Sequence, residues 1–509
     1  MEISVDRESK TPMYLQISLK IRELILSGSL PAGSQLPPER KLADELQVNR
    51  TTVLNAYREL KAGGLVDSHI GQGTTVSQSA IPENSSPDIA DRSGTMPPMP
   101  WEQLFSESSM RIQDTTVRDL LEAARRDTIL FAAGVTVPVQ DSLDALERIQ
   151  SEVLKSHGVL AVQHMPTEGC LSLRESVCEL MQGRGIQANA ADTMILTGSQ
   201  QGLDLVTRAF IEPGDVVLAE EPTFFSAVQI FKAAGARVVG IPTDKDGMRT
   251  DLLDMLVKRF KPKLIYTIPD FQNPSGAVMS LERRKQLLSA ALRNQLVILE
   301  DDPYGMLRYE GKSLPALKAL DGYGNVLYLS SFSKLLFPGF RVGWITAPPQ
   351  VLYRLIMLKQ VTDLHTSSLP QLIIDRFLRE GLLKVHVEKA NRENRSRRDL
   401  MISELDGANL EGMSWNRPDG GLYLWCRLPE RMPQGRLLAN SMEKGVSFVP
   451  GNVFFPGSPS GNYIRLNFTY PSPAQIKEGV KRLAAAYLDI NGERKKYGRS
   501  VINELGPII

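Results

Sequence analysis

Apolar residues near the start of the chain recur at helical spacing. Ile17, Ile21, Leu24 and Ile25 fall at i, i+4, i+7 and i+8, which predicts one buried face of a helix stopping near Ser27-Gly28. Leu42, Ala43 and Leu46 predict a second, shorter helix. Asn49 is a good N-cap for a third, which turns Val53, Tyr57 and Leu60 inward and ends at Gly63-Gly64. The strand-like runs Leu65 to Ile70 and Thr74 to Ser77 flank Gly71-Gln72-Gly73 and read as a hairpin wing. From Gln78 to about Pro100 the sequence holds too little apolar material to pack, so an extended linker is expected.

Beyond roughly residue 115, helical segments alternate with short apolar runs: Met194 to Leu196, Val216 to Ala219, Leu264 to Thr267, Val297 to Leu299 and Val326 to Leu329. This alternation predicts an α/β domain around a mostly parallel sheet. A further αβ segment from about Asn391 to Ala485 predicts a small C-terminal lobe. The expected division is therefore a helical head over 1–78, a linker over 79–114, the α/β domain over 115–488 and a tail of unassigned role over 489–509.

Composition narrows the class. A chain of 509 residues is too long for one core, and 42% hydrophobic with 23% charged residues is ordinary for a globular protein. The N-terminus lacks the cationic and apolar regions of a secretory signal, and every apolar run falls well short of the ~20 residues that span a bilayer. A cytoplasmic protein without membrane contact is expected. The three cysteines, Cys170, Cys178 and Cys426, show no C-x-x-C spacing, so neither a disulfide framework nor a zinc site is expected. Residues 1–78 carry nine Lys/Arg and nine Asp/Glu; within 40–61 the balance is five to three, so the excess of positive charge lies on the second and third predicted helices.

Those helices carry a motif. Leu36-Pro37-Pro38-Glu39-Arg40-Lys41-Leu42-Ala43 followed by Val48-Asn49-Arg50-Thr51-Thr52-Val53 resembles the helix-turn-helix of the GntR family of bacterial repressors, a winged fold. The resemblance implies operator DNA as partner. Asn49, Arg50, Thr51 and Thr52 would begin the helix that reaches base edges, Arg40 and Arg58 would hold the DNA backbone or a guanine edge, and Gly71, Gln72 and Gly73 would form the wing tip. A small helical bundle with solvated arginines is the alternative that the residues alone leave open.

In the larger domain, Thr197-Gly198-Ser199-Gln200-Gln201-Gly202 lies between a predicted strand and a predicted helix, where the Ser199 and Gln200 amides would face an anion such as phosphate. By itself this is also what a helix-capping turn looks like. Asp301 follows the run Val297-Ile298-Leu299, at the strand end where open α/β sheets place ligands. Its neighbours Glu300 and Asp302 make an acidic cluster that reads either as a metal site or as a solvated loop. Lys334 ends Ser330-Ser331-Phe332-Ser333-Lys334 after another strand, a position that an exposed surface lysine could equally occupy.

The order of these motifs resembles fold-type I aminotransferases over roughly residues 115–488, especially the branch of kynurenine and aminoadipate aminotransferases. Joined to a GntR-like head, the chain resembles the MocR class of regulators. The resemblance implies pyridoxal 5'-phosphate as cofactor, held as an imine on Lys334. It also implies Asp301 at the pyridine nitrogen, and Tyr304 and Asn273 at the ring hydroxyl. Phe224 would stack on the ring. Ser199, Gln200, Ser331, Ser333 and Arg341 would bind the phosphate, and Arg465 a substrate carboxylate. Lys334, Asp301 and Tyr304 would carry the chemistry. Two segments depart from the family. His164 stands in His164-Met165-Pro166-Thr167-Glu168-Gly169 where many relatives have a tyrosine reaching the partner subunit's phosphate, and Ala132 to Pro138 replaces the usual glycine- and proline-rich loop.

The function implied is a regulator whose DNA binding responds to an amino compound, an amino acid or amine, that displaces Lys334 on the cofactor. A working aminotransferase with a tethering head and a sensor of pyridoxal phosphate itself are the alternatives. A homodimer is expected, because relatives of this type build each site at a subunit interface and paired heads suit two-fold operators.

Overall fold

The three predicted N-terminal helices are Met13–Leu26, Glu39–Leu46 and Arg50–Ala62 in the computed structural model, which describes residues 5–6, 11–69, 73–77, 99, 101–112 and 128–504. Ile17, Ile21 and Ile25 are buried against Leu42, Val53, Ala56, Tyr57 and Leu60 in one apolar core, while Leu24, expected on the same face, stays partly exposed. Asn49 Oδ1 accepts the Thr51 backbone N–H at 3.0 Å, the capping expected of it. Strands Val66–His69 and Gly73–Val76 pair antiparallel and close this unit, with Val66 and Val76 buried in the same core. Gly71, Gln72 and most of the linker segment fall outside the described residues.

Part of the expected linker is helical. Trp101–Leu104 and Glu107–Met110 form short turns, the second capped by Ser106 and tied by an Arg111–Glu107 ion pair one turn apart, local interactions that need no apolar face. The chain divides into two compact units, Met1–Trp101 and Glu102–Ile509.

The second unit is built on an eight-stranded mixed sheet, ordered Thr193–Leu196, Gly343–Thr346, Val326–Ser331, Val297–Asp301, Leu264–Thr267, Val216–Glu221, Arg237–Asp244, Gly247–Met248. The five strands from Val326–Ser331 to Arg237–Asp244 run parallel, whereas Gly343–Thr346 is antiparallel to both of its neighbours. Helices cover both faces and leave two apolar cores, which is why these strands read as continuous apolar runs.

The smaller lobe departs from the expected segment at both ends. Its helix begins at Leu382, earlier than Asn391, and its antiparallel sheet runs Ser414–Trp415, Tyr423–Arg427, Tyr463–Asn467, Val449–Pro450. Ile129–Leu130, far away in sequence, pairs with Val446–Ser447 and buries Ile129 and Phe131 in the lobe's core. Nor is 489–504 a separate tail: helix Pro473–Glu504 runs through it, anchored by buried Ile490 and a Lys444–Asp489 ion pair at 2.9 Å. Among the described residues, no helix is long and apolar enough to cross a membrane.

Candidate functional site

In the N-terminal unit the residues expected to meet DNA are spread over the second helix, the third helix and the hairpin. Arg40, Asn49, Arg50, Thr51 and Arg58 are exposed, Thr52 is half-buried, and Gly73 opens the second strand of the hairpin. The Thr51 hydroxyl also bonds Asn49 Oδ1, at 2.9 Å, so that oxygen is committed to holding the helix end. Arg50 donates from Nε to Glu39 Oε2 at 3.1 Å, which orients its guanidinium across the turn between the two helices. The Tyr57 hydroxyl donates to the Pro37 carbonyl at 2.7 Å and fixes the loop that leads into Glu39.

In the second unit, every residue expected to hold the cofactor or its substrate lines a single cavity of about 430 Å³. The sheet explains the convergence. Asp301 is the last residue of its strand, Lys334 lies three residues past the end of the next, and Ser199 starts a helix directly after the edge strand. Parallel strands deliver their carboxyl ends to one side, where helix N-termini also gather.

The anion-facing corner is formed by the start of helix Ser199–Phe210 together with Ser331, Ser333 and Arg341. Gly198 has φ +78°, and a Cβ there would sit 2.6 Å from Arg341 Nη2, so the turn needs glycine for the guanidinium to lie against it. Arg341 Nη1 donates to Ser333 Oγ at 3.1 Å, and Ser331 Oγ donates to Ser333 Oγ at 2.9 Å. The arrangement offers backbone N–H groups, hydroxyls and one guanidinium to an anion.

Deeper in, the Lys334 amine donates to the Gly134 carbonyl, and its burial pushes its pKa below the usual lysine range. The Tyr266 hydroxyl donates to Asp301 Oδ2 at 2.8 Å, while Oδ1 is buried with no hydrogen-bond partner among the described residues. Burial, with a smaller push from Asp302, raises the Asp301 pKa to about 7 against the opposing Tyr266 bond and Lys334 charge. Asn273 Nδ2 lies 3.5 Å from the Tyr304 hydroxyl, and Asn273 Oδ1 accepts from Arg465 Nη1 at 2.9 Å. The Arg465 guanidinium lies 4.0 Å over the Tyr423 ring, its Nε buried without a partner among the described residues.

The acidic neighbours of Asp301 are neither a metal site nor a solvated loop. Glu300 is fully buried and accepts the Leu317 and Lys318 backbone N–H groups, both at 2.8 Å; Asp302 accepts from Arg184, from the Tyr328 hydroxyl and from the Gly305 N–H. Among the described residues, no group of three or more His, Cys, Asp or Glu side chains could hold a metal ion. His164 lies outside the cavity lining, exposed, with Nδ1 3.0 Å from His365 Nε2.

Sequence reasoning missed Tyr266, Tyr423, Tyr470 and Gly134. Tyr266 carried a readable signal, since a tyrosine inside the apolar strand Leu264–Thr267 must find a buried partner for its hydroxyl. Gly134 lies in the segment that departs from the family pattern, so nothing marked it.

Residues 13–76 match the bacterial regulatory proteins of the gntR family, and residues 133–483 match aminotransferase class I and II. The aromatic-amino-acid aminotransferase 1 of Thermococcus litoralis is 39% identical over 407 residues, 79% of this chain and 97% of that one. The uncharacterized HTH-type transcriptional regulator YisV of Bacillus subtilis is 32% identical over 94% of this chain and 96% of its own. Among solved structures, the α-aminoadipate aminotransferase LysN of Thermus thermophilus, complexed with N-(5'-phosphopyridoxyl)-L-leucine, superposes with a TM-score of 0.72 at 35% identity, over 77% of this chain and 99% of that one.

Proposed function

Because the chain belongs to the class I and II aminotransferases and, through its gntR-family head, to the MocR-type regulators, we propose that it is a DNA-binding regulator that holds pyridoxal phosphate at Lys334 and senses an amino acid or amine there. The observation that carries this reading is the buried, unpartnered Asp301 Oδ1 in the cavity that also holds the Lys334 amine. A carboxylate oxygen enclosed without a donor is costly, and a protonated pyridine nitrogen is a donor of matching charge.

When bound, the cofactor supplies an aldehyde that couples to primary amines and a ring that withdraws electrons. The rest is done by side chains. Burial favours the neutral amine of Lys334, the form that attacks a carbonyl. Ser199, Gln200, Ser331, Ser333 and Arg341 hold the phosphate, Asn273 and Tyr304 the ring hydroxyl, and Phe224 packs on the ring. Arg465 takes the carboxylate of an amino-acid effector. In the other unit, Arg40, Arg50, Thr51, Thr52 and Arg58, with Gly71, Gln72 and Gly73, contact operator DNA. Two chains act together, presenting two heads to paired half-sites.

Fluorescence anisotropy on operator DNA tests the reading. Amino compounds that change the visible absorbance of the loaded protein should change its DNA affinity, and Lys334→Ala should remove that response while keeping basal binding. A full response in Lys334→Ala rejects it. One observation favours a second reading, sustained aminotransfer: buried Arg465, with an unpartnered Nε, completes a substrate site as well as a sensor site. Many turnovers per site between an amino acid and 2-oxoglutarate would establish the enzyme; arrest after one amino-group transfer favours sensing.

A further inference from the structure

Arg184 lies just past the end of helix Leu171–Gln182, only 5% exposed, and is absent from the cavity lining. Its guanidinium nevertheless touches two of the chain segments that supply polar groups to the cavity wall. Nε donates to Asp302 Oδ2 at 3.0 Å, and Nη2 donates to Asp270 Oδ2. Asp302 follows Asp301 directly and precedes Tyr304 by two residues; Asp270 precedes Asn273 by three. We propose that Arg184 is a positioning residue for the cofactor site: its one guanidinium, forked between Asp270 and Asp302, sets Asn273 and Tyr304 against the ring oxygen of the cofactor and balances the charge beside Asp301.

The surroundings make the fork rigid. Asp302 Oδ1 accepts the Gly305 N–H at 2.9 Å, and a Cβ on Gly305 would lie 2.4 Å from that oxygen and 2.7 Å from Arg184 Cζ, so the 302–305 turn closes directly on the guanidinium. On the other side, Arg284 Nη2 donates to Asp270 Oδ1 at 2.9 Å and to the Pro269 carbonyl, while its Nε and Nη1 go to the Met279 and Pro315 carbonyls and not to Asp302. Arg184 alone among the described residues bonds to both carboxylates. Lysine is a poor substitute, because a single ammonium lacks the planar fork that spans two acceptors. Burial opposes the Arg184 charge, yet Asp302 and Asp270 beside it hold it charged, and Asp302 is one of the groups that push Asp301 toward protonation. With Arg184 neutralised, the charge of Asp302 is felt in full by its neighbour.

The inference rests on the cofactor reading above, and the experiment separates the two. Full-length parent, Arg184→Lys and Arg184→Gln are loaded with pyridoxal phosphate; the visible spectrum is titrated with pH, cofactor affinity is measured by fluorescence quenching, and thermal unfolding of the apo forms is recorded. Donors on the ring oxygen draw electron density from the ring, so their misplacement lets the protonated, long-wavelength form persist to higher pH. Arg184→Lys should fold like the parent, raise the spectral midpoint by about half a pH unit or more, and weaken cofactor binding about fivefold or more; Arg184→Gln should do more of both. A folded Arg184→Lys with the parent's midpoint and affinity overturns the proposal, as does loss of folding in both variants, which marks Arg184 as purely structural. A parent that takes up no cofactor sinks the cofactor reading first and this inference with it; a coloured parent beside an unshifted variant sinks this inference alone.

Discussion

On the proposed cofactor reading, the Asp301 carboxyl group trades stability for binding. Its pKa is raised to about 7 from 3.8, chiefly by burial, so between those values the folded apoprotein holds a proton that the unfolded chain has lost. Folding stability therefore falls as pH rises through that window, because the native state binds more protons there. Asp301→Asn keeps an acceptor for the Tyr266 hydroxyl but has no charge to desolvate. The apo variant should match the parent near pH 4 and become more stable than it toward pH 8, by a few kcal/mol at most at about 1.4 kcal/mol per pKa unit. Its affinity for pyridoxal phosphate should fall over the same range. Thermal melts at pH 4, 6 and 8 check the first half, and a variant no more stable than the parent at pH 8 would show that Asp301 carries no buried charge. Glu220 and Glu300, also raised to about 7 by burial, add to the parent's decline with pH but are common to both proteins, so they cancel in the difference.

The elements themselves were largely legible, for a physical reason that also marks where reading failed. A strand buried on both faces is largely apolar, so the apolar runs of Leu264–Thr267 and Val326–Ser331 announce themselves. The lobe's strands Ser414–Trp415 and Val449–Pro450 are too short to show a period, and the pairing of Ile129 with Val446 joins positions no local window connects. The same limit governs the site. Lys334, Asp301 and Ser199 stand at element ends that local patterns mark, whereas the Arg465–Asn273 bond spans 192 residues and the Arg184–Asp302 pair 118, and folding alone brings them together. At the helix scale the head offers a direct test. Asn49 caps helix Arg50–Ala62 through its side-chain oxygen, so Asn49→Ala should destabilise the head by about 1 kcal/mol and Asn49→Ser should recover most of that. Chemical denaturation followed by far-UV circular dichroism reads it; if Ser fails to recover what Ala loses, the oxygen is not what holds the helix end.

Across the whole molecule, sensing requires that one unit's ligand alter the other unit's affinity for DNA, and thermodynamics makes that coupling reciprocal. If an amino effector changes operator affinity by some factor, operator DNA must change effector affinity by the same factor, typically ~5- to 150-fold in coupled systems. Binding at Lys334 alone shifts nothing unless the ligand distinguishes the DNA-competent state from the other. The loaded protein should therefore be titrated with an amino compound, following visible absorbance, with and without saturating operator DNA. The expected outcome is a displaced effector isotherm whose displacement equals that of the DNA isotherm measured with and without effector. Scrambled DNA should leave the effector curve where it was, because contacts to phosphate alone do not select the operator-bound state. Identical curves with and without operator would mean that the two units share a chain but no free energy, and would leave aminotransfer as the work of the larger one.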